Sequence, residues 1–164
     1  MRRTVNSIIG IIIAIGLTLG GYAQDAPQSP QPPAPTHQDA PAPEPHPELK
    51  PLVEEIQTLL RGGKLQDALP KAAELLQQAK AKSDKIGEAY ALRFRASALQ
   101  AMRQTAPDQL PEVASVWASA LALWREVGDG ALQVEALLGQ AYCLWRASPE
   151  QARALVQDAL LLVK

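Results

Sequence analysis

The sequence predicts an all-α protein, and three observations carry that prediction. From residue 48 onward, apolar residues recur at a 3.6-residue period in segments of about 14–19 residues. Alanine and leucine supply the apolar content, aromatics are only 4%, and the β-branched residues crowd into the N-terminus, so strong helix formers dominate the rest. Glycine, proline and Ser/Asp pairs punctuate the period where helices would stop and start. The predicted architecture is a set of antiparallel helix hairpins, about six helices in all, preceded by an export segment and a disordered linker.

Residues 1–23 form the export segment. Arg2 and Arg3 make a charged n-region, residues 8–19 an apolar stretch, and Gly21-Tyr22-Ala23 the small residues expected before cleavage at Gln24. The alternative is a single-pass anchor, because the 19 residues from 5 to 23 are just long enough to cross a bilayer. Glycines at 10, 16, 20 and 21 dilute the apolarity and favour cleavage. No cysteine follows the stretch, which excludes a lipoprotein. Both readings keep the arginine pair in the cytoplasm and put residue 24 onward outside it, at the periplasm or the outer face of the inner membrane.

Residues 24–47 are a proline-rich linker without apolar bulk. Such a segment cannot bury enough surface to offset its ordering entropy, so it is expected to be an extended spacer. At about 3.1 Å per residue it would reach on the order of 70 Å. The only two histidines, His37 and His46, fall here and read as solvated spacer residues.

The helical domain, 48–164, comes next. The first helix spans about 48–61, with Leu52, Val53, Ile56, Leu59 and Leu60 on one face and Lys50, Glu54, Gln57 and Arg61 opposite. Pro51 fits its first turn and Gly62-Gly63 ends it. The second, about 65–82, turns Leu65, Ala68, Ala72, Leu75 and Ala79 inward, with Pro70 marking a later start or a kink. Ser83-Asp84 offers the N-cap of an alanine-rich third helix, about 85–103. A turn around Pro107 leads to a fourth, about 109–127, whose apolar stripe includes Val113, Trp117, Ala120 and Trp124. Gly128-Asp129-Gly130 opens the last pair, joined at Ser148-Pro149 within residues 131–162. Asp84 and Asp129 lie 45 residues apart, and Ala91/Ala136, Leu92/Leu137, Ala96/Ala141 and Leu99/Leu144 keep that offset. A repeat of this period built from helix pairs signals an α-solenoid.

Leu138-Gly139-x-x-Tyr142, followed by Ala152 and Ala159, resembles the tetratricopeptide repeat, with its large-Gly-x-x-Tyr in one helix and two alanines seven apart in the next. The resemblance spans about residues 48–164 and is fullest in the third hairpin. That hairpin departs by one residue, since Gly139 to Ala152 is 13 positions where the family has 12. The first hairpin keeps Gly63 and Ala68 without the aromatic. The resemblance implies that Gly139 and the alanines let the two helices of the third hairpin approach, and that Tyr142 fills the gap between neighbouring repeats. It also implies a peptide-binding groove lined by the first helix of each pair. Carried onto this chain, the groove residues are Gln57 and Arg61 (with Lys50) in the first hairpin, Arg93 or Arg95 in the second, and Gln133 and Gln140 (with Ala136 and Cys143) in the third.

Charge and chemistry exclude other functions. A net charge of −1, with no clustered Lys and Arg, gives no nucleic-acid footprint. The single cysteine, Cys143, rules out an internal disulfide and sits in an apolar pattern that predicts burial. The helical region holds no histidine, no paired nucleophile and base, and no phosphate loop, so no enzyme, cofactor or metal is expected. Trp117 and Trp124, seven apart, share a helix face; core packing is the plain reading and an indole-lined groove the alternative. The expected function is a non-catalytic protein-interaction module of the bacterial cell envelope that binds a protein or peptide partner. The alternatives are a self-assembly unit, dimerising through a last helix that stays apolar to Val163 with no polar helix after it, or the N-terminal part of a larger protein.

Overall fold

The computed structural model describes residues 42–103 and 107–163. Six α-helices build it: α1 (Lys50–Arg61), α2 (Leu65–Ala81), α3 (Lys85–Met102), α4 (Leu110–Val127), α5 (Gly130–Leu144) and α6 (Pro149–Leu162). Single 3₁₀ turns at Pro47–Leu49 and Pro107–Gln109 precede α1 and α4, and no strand occurs among the described residues. The observed ends lie within a residue or two of those expected from the sequence. Pro70 interrupts nothing: α2 runs continuously through it. None of these helices is long and apolar enough to cross a membrane. The export segment and all but the last residues of the linker lie outside the described residues.

The turns explain the spacing. Ser83 (φ +54°) precedes Asp84, and Gly128 (φ +84°) precedes Asp129. Each aspartate then caps the next helix: Asp84 Oδ1 accepts from the backbone N–H of Ile86 at 3.1 Å and of Gly87 at 3.0 Å, and Asp129 Oδ1 accepts from that of Leu132 at 2.7 Å. A left-handed residue that ends one helix and a carboxylate that starts the next form the same turn twice. The 45-residue offset is therefore carried by local chemistry as well as by apolar pattern.

Each helix packs on its neighbours in the chain, and α1 also meets α3, as α3 meets α5. Alanines line these seams: Ala68, Ala72 and Ala79 of α2, Ala89, Ala91 and Ala96 of α3, and Ala152 and Ala159 of α6 are all buried. Between them sit a few large side chains. Trp124 is fully buried, with the Tyr90 ring edge-on to it at 5.1 Å. Trp117 is 3% exposed, and its Nε1–H donates to Gln100 Oε1 of α3 at 2.8 Å. Both indoles belong to the core.

Trp117 also corrects the expected role of Gly139. A Cβ at Gly139 would lie 2.7 Å from Trp117 Cδ2 and 2.8 Å from Cζ2, so the missing side chain makes room for an indole of α4 rather than for α6. Tyr142 is 51% exposed and fills no gap, which reverses the second expectation.

At the other end, residues 43–49 are tied to the α2–α3 turn. The His46 backbone N–H donates to Asp84 Oδ2 at 2.7 Å, the Tyr90 hydroxyl donates to the Pro43 carbonyl at 3.2 Å, and Glu48 pairs with Lys82. Leu49 is fully buried. Gly87 belongs to this junction, because a Cβ there would stand 3.0 Å from Leu49 Cδ1 and 2.8 Å from Asp84 Oδ2. His46 is accordingly no mere spacer residue: its Nδ1 accepts from the Glu48 N–H and its backbone holds the segment down.

Candidate functional site

Where α1 runs beside α3, a cleft of about 210 Å³ opens between them, lined by Gln57, Leu60 and Arg61 of α1 and by Arg93, Phe94 and Ser97 of α3. Spacing of three and four residues puts Gln57, Leu60 and Arg61 on one face of α1, and Arg93 and Ser97, four apart, on one face of α3 beside Phe94. Leu60 and the buried Phe94 make an apolar floor, and Gln57, Arg61, Arg93 and Ser97 supply donors around it.

Arg93 is fixed in place. Its Nε–H donates to Glu135 Oε1 of α5 at 2.8 Å, and its guanidinium lies 5.6 Å from the Phe94 ring centroid and 6.0 Å from that of Tyr90. A guanidinium held at Nε and over aromatic rings keeps its two terminal nitrogens for another acceptor. Arg61 is exposed and has no ion-pair partner among the described residues. The cleft therefore offers two guanidinium groups, an amide and a hydroxyl over an apolar base. That set suits a carboxylate or backbone carbonyls beside a small apolar side chain. Ser97 has no base among the lining residues, so the cleft holds no nucleophile pair.

Three of the six residues expected from the sequence, Gln57, Arg61 and Arg93, thus meet in one place. The other three do not join them. Arg95 is exposed, two positions from Arg93 on the helix and outside the cleft. Gln133 is spent internally, its Nε2 donating to the Trp124 carbonyl at 3.3 Å, where it closes the C-terminal end of α4. Gln140 shares the stripe of Ala136 and Cys143, both buried, and is itself half-buried. In α5 the exposed side instead carries Tyr142 and, just past the helix end, Trp145.

Sequence reasoning missed Leu60, Phe94 and Ser97 as lining residues and Glu135 as the support of Arg93. Leu60 and Ser97 were readable as the i+3 and i+4 neighbours of Gln57 and Arg93, and Phe94 as the large apolar residue beside Arg93. Glu135 lies 42 residues from Arg93 and gave no local signal. Cys143 is no reactive thiol. It is 2% exposed, its Sγ sits 3.7 Å from Gln100 Oε1, and burial pushes its pKa up to about 11. Among the described residues no group of three or more His, Cys, Asp or Glu is placed to hold a metal ion.

No family model, curated protein or solved structure matches the chain.

Proposed function

We propose that this protein is an exported, non-catalytic interaction module of the bacterial envelope, a short α-solenoid of three tetratricopeptide-like hairpins on a proline-rich tether. It takes an extended segment of a protein partner into the cleft between α1 and α3. One observation carries the reading: Gln57, Arg61 and Arg93, from two helices far apart in sequence, converge around the apolar floor of Leu60 and Phe94. The repeated Asp-capped turn and the side-by-side contacts of α1 with α3 and α3 with α5 support a solenoid. Arg2, Arg3 and the apolar stretch after them support export, and residues 24–41 would hold the cleft clear of the membrane.

Recognition would combine charge-assisted hydrogen bonds from Arg61 and Arg93 with burial of one apolar side chain against Phe94. The test is affinity capture from envelope extract with the full chain and two variants. Arg61→Glu combined with Gln57→Glu is expected to lower recovery of the captured partner about tenfold or more, a loss of about 1.4 kcal/mol, with helicity unchanged. Arg95→Glu, outside the cleft, is expected to change recovery little. Equal capture by wild type and the cleft variant sinks the reading.

A further inference from the structure

The residues just before α1 lie against both helices that wall the cleft. Glu44 pairs with Lys50 at the start of α1, the Pro43 carbonyl accepts from the Tyr90 hydroxyl of α3, and the His46 N–H donates to Asp84 at the head of α3. From His46 back to Pro43 the backbone therefore runs along α3 toward its C-terminal end. Tyr90, Arg93, Phe94 and Ser97 follow one another at i, i+3, i+4 and i+7, so the segment starts on the stripe that forms the α3 wall of the cleft. Burial alternates along it. Pro43 is half-buried and Pro45 buried, whereas Ala42 and Glu44 are exposed.

Two spacings give the place where the chain before Pro43 arrives. An extended chain advances about 3.1 Å per residue and a helix about 1.5 Å. On α1, Arg61 stands eleven residues beyond Lys50, about 16 Å, which five extended residues upstream of Glu44 cover. On α3, Arg93 and Ser97 stand three and seven residues beyond Tyr90, about 5 and 10 Å, which about two and four residues upstream of Pro43 cover. Both spacings end on Asp39-Ala40-Pro41.

These residues complement the cleft in charge and in shape. Arg61 and the terminal nitrogens of Arg93 have no acceptor among the described residues, and they stand beside the apolar floor of Leu60 and Phe94. Asp39 is the only acidic residue between Ala26 and Ala42. Pro41, two positions on, belongs to the same side of an extended chain, the side that Pro43 and Pro45 continue.

We propose that the cleft is filled by the chain's own linker: residues 39–41 continue the extended path of residues 42–46, Asp39 pairs with Arg61 and Arg93, and Pro41 covers Phe94. A partner segment has to displace Asp39-Ala40-Pro41, so the linker sets the threshold for capture. The docking stands on the geometry alone; the threshold rests on the partner reading of the cleft. A short tether holds the linker at an effective concentration in the millimolar range, so a weak contact suffices to occupy the cleft and a tighter external segment can still replace it.

The docking is tested without any partner, by solution NMR on the full chain. Phe94 is the only phenylalanine, so its ring protons are unambiguous. They are expected to show cross-relaxation with Pro41, and the Ala40 amide is expected to be as ordered on the nanosecond timescale as that of Glu44. Asp39→Lys, outside the helical body, is expected to abolish both signals with helicity unchanged. A synthetic peptide of residues 36–42 is then expected to move the Phe94 ring and Arg93 Nε–H resonances of that variant. In wild type at the same peptide concentration the response should be about threefold smaller, because a linker that leaves the cleft open a third of the time weakens apparent affinity by that factor. A wild-type chain with no Phe94–Pro41 contact overturns the proposal, and so does an equal response of the two chains to the peptide. The threshold is read by affinity capture: recovery from envelope extract is expected to rise about threefold in Asp39→Lys, and not to rise when Gln57→Glu and Arg61→Glu are also present. A docked linker with no partner recovered by any variant would sink the partner reading and leave the docking intact. Partner recovered equally by wild type and Asp39→Lys would sink the threshold.

Discussion

At one end of the helical body, residues 43–49 fold back on the α2–α3 turn. Their backbone bonds to Asp84, their carbonyl takes the Tyr90 hydroxyl, and Leu49 fills the space that Gly87 leaves. At the other end α5 and α6 keep the same kind of apolar residues and leave them in water, Leu161 at 66% and Trp145 at 58%. Among the described residues, the two ends differ in whether anything lies across them. A helix pair cannot bury its apolar stripe alone, so each pair depends on the chain packed against it from either side. The first pair is closed by a short irregular segment, which is enough because its contacts are few and well placed.

The largest expected effect compares one substitution at both ends. Leu49→Ala removes a fully buried side chain packed against Gly87, and is expected to cost about 3 kcal/mol. Leu161→Ala, on the outer side of α6, is expected to change stability by less than about 0.5 kcal/mol. Urea denaturation followed by helicity measures both. Similar costs at the two positions would mean that the 43–49 segment does not close its end.

A second substitution tests the junction that makes the last hairpin part of the body. Gly139→Leu is expected to force α4 and α5 apart and to cost about 2–3 kcal/mol, by overpacking against an indole that has no room to yield. The Trp117 emission should move to the red as its Gln100 hydrogen bond breaks. A melting temperature equal to that of wild type would show that the contact is slack.

How much of this was legible beforehand depends on how local each cause is. Helix ends could be read because caps and breakers act within four residues: Gly62-Gly63, Asp84, Gly128-Asp129 and Ser148 all sit where the chain turns. Burial of Cys143 and the two indoles came from period alone. The face of α5 did not. A helix with leucine, alanine and valine nearly all round gives a weak stripe, so the pattern puts Gln133 and Gln140 in a groove and Tyr142 in a gap between repeats, whereas packing ties Gln133 to α4 and leaves Tyr142 exposed. The partner of Gly139 was misplaced for the same reason, because a glycine announces a close approach without saying to what. Of the cleft, the polar residues of α1 were plain from its clean amphipathicity, whereas the choice of Arg93 over Arg95 turned on Glu135, 42 residues downstream.

The smallest effect is also the sharpest probe of the two ends. Asp84 and Asp129 stand in equivalent turns and each caps a helix, so replacing either by alanine is expected to cost about 1 kcal/mol for the lost cap. Asp84 has a second task that Asp129 lacks, since its Oδ2 accepts the His46 N–H at 2.7 Å and so holds the closing segment. Asp84→Ala is therefore expected to cost about 1 kcal/mol more than Asp129→Ala, the worth of one further hydrogen bond to a charged acceptor. Hydrogen exchange separates the two contributions: the His46 amide should exchange much faster in Asp84→Ala and at the wild-type rate in Asp129→Ala. Equal costs, with a His46 amide indifferent to both, would detach the closing segment from the turn. The stability of that end would then rest on Leu49 alone.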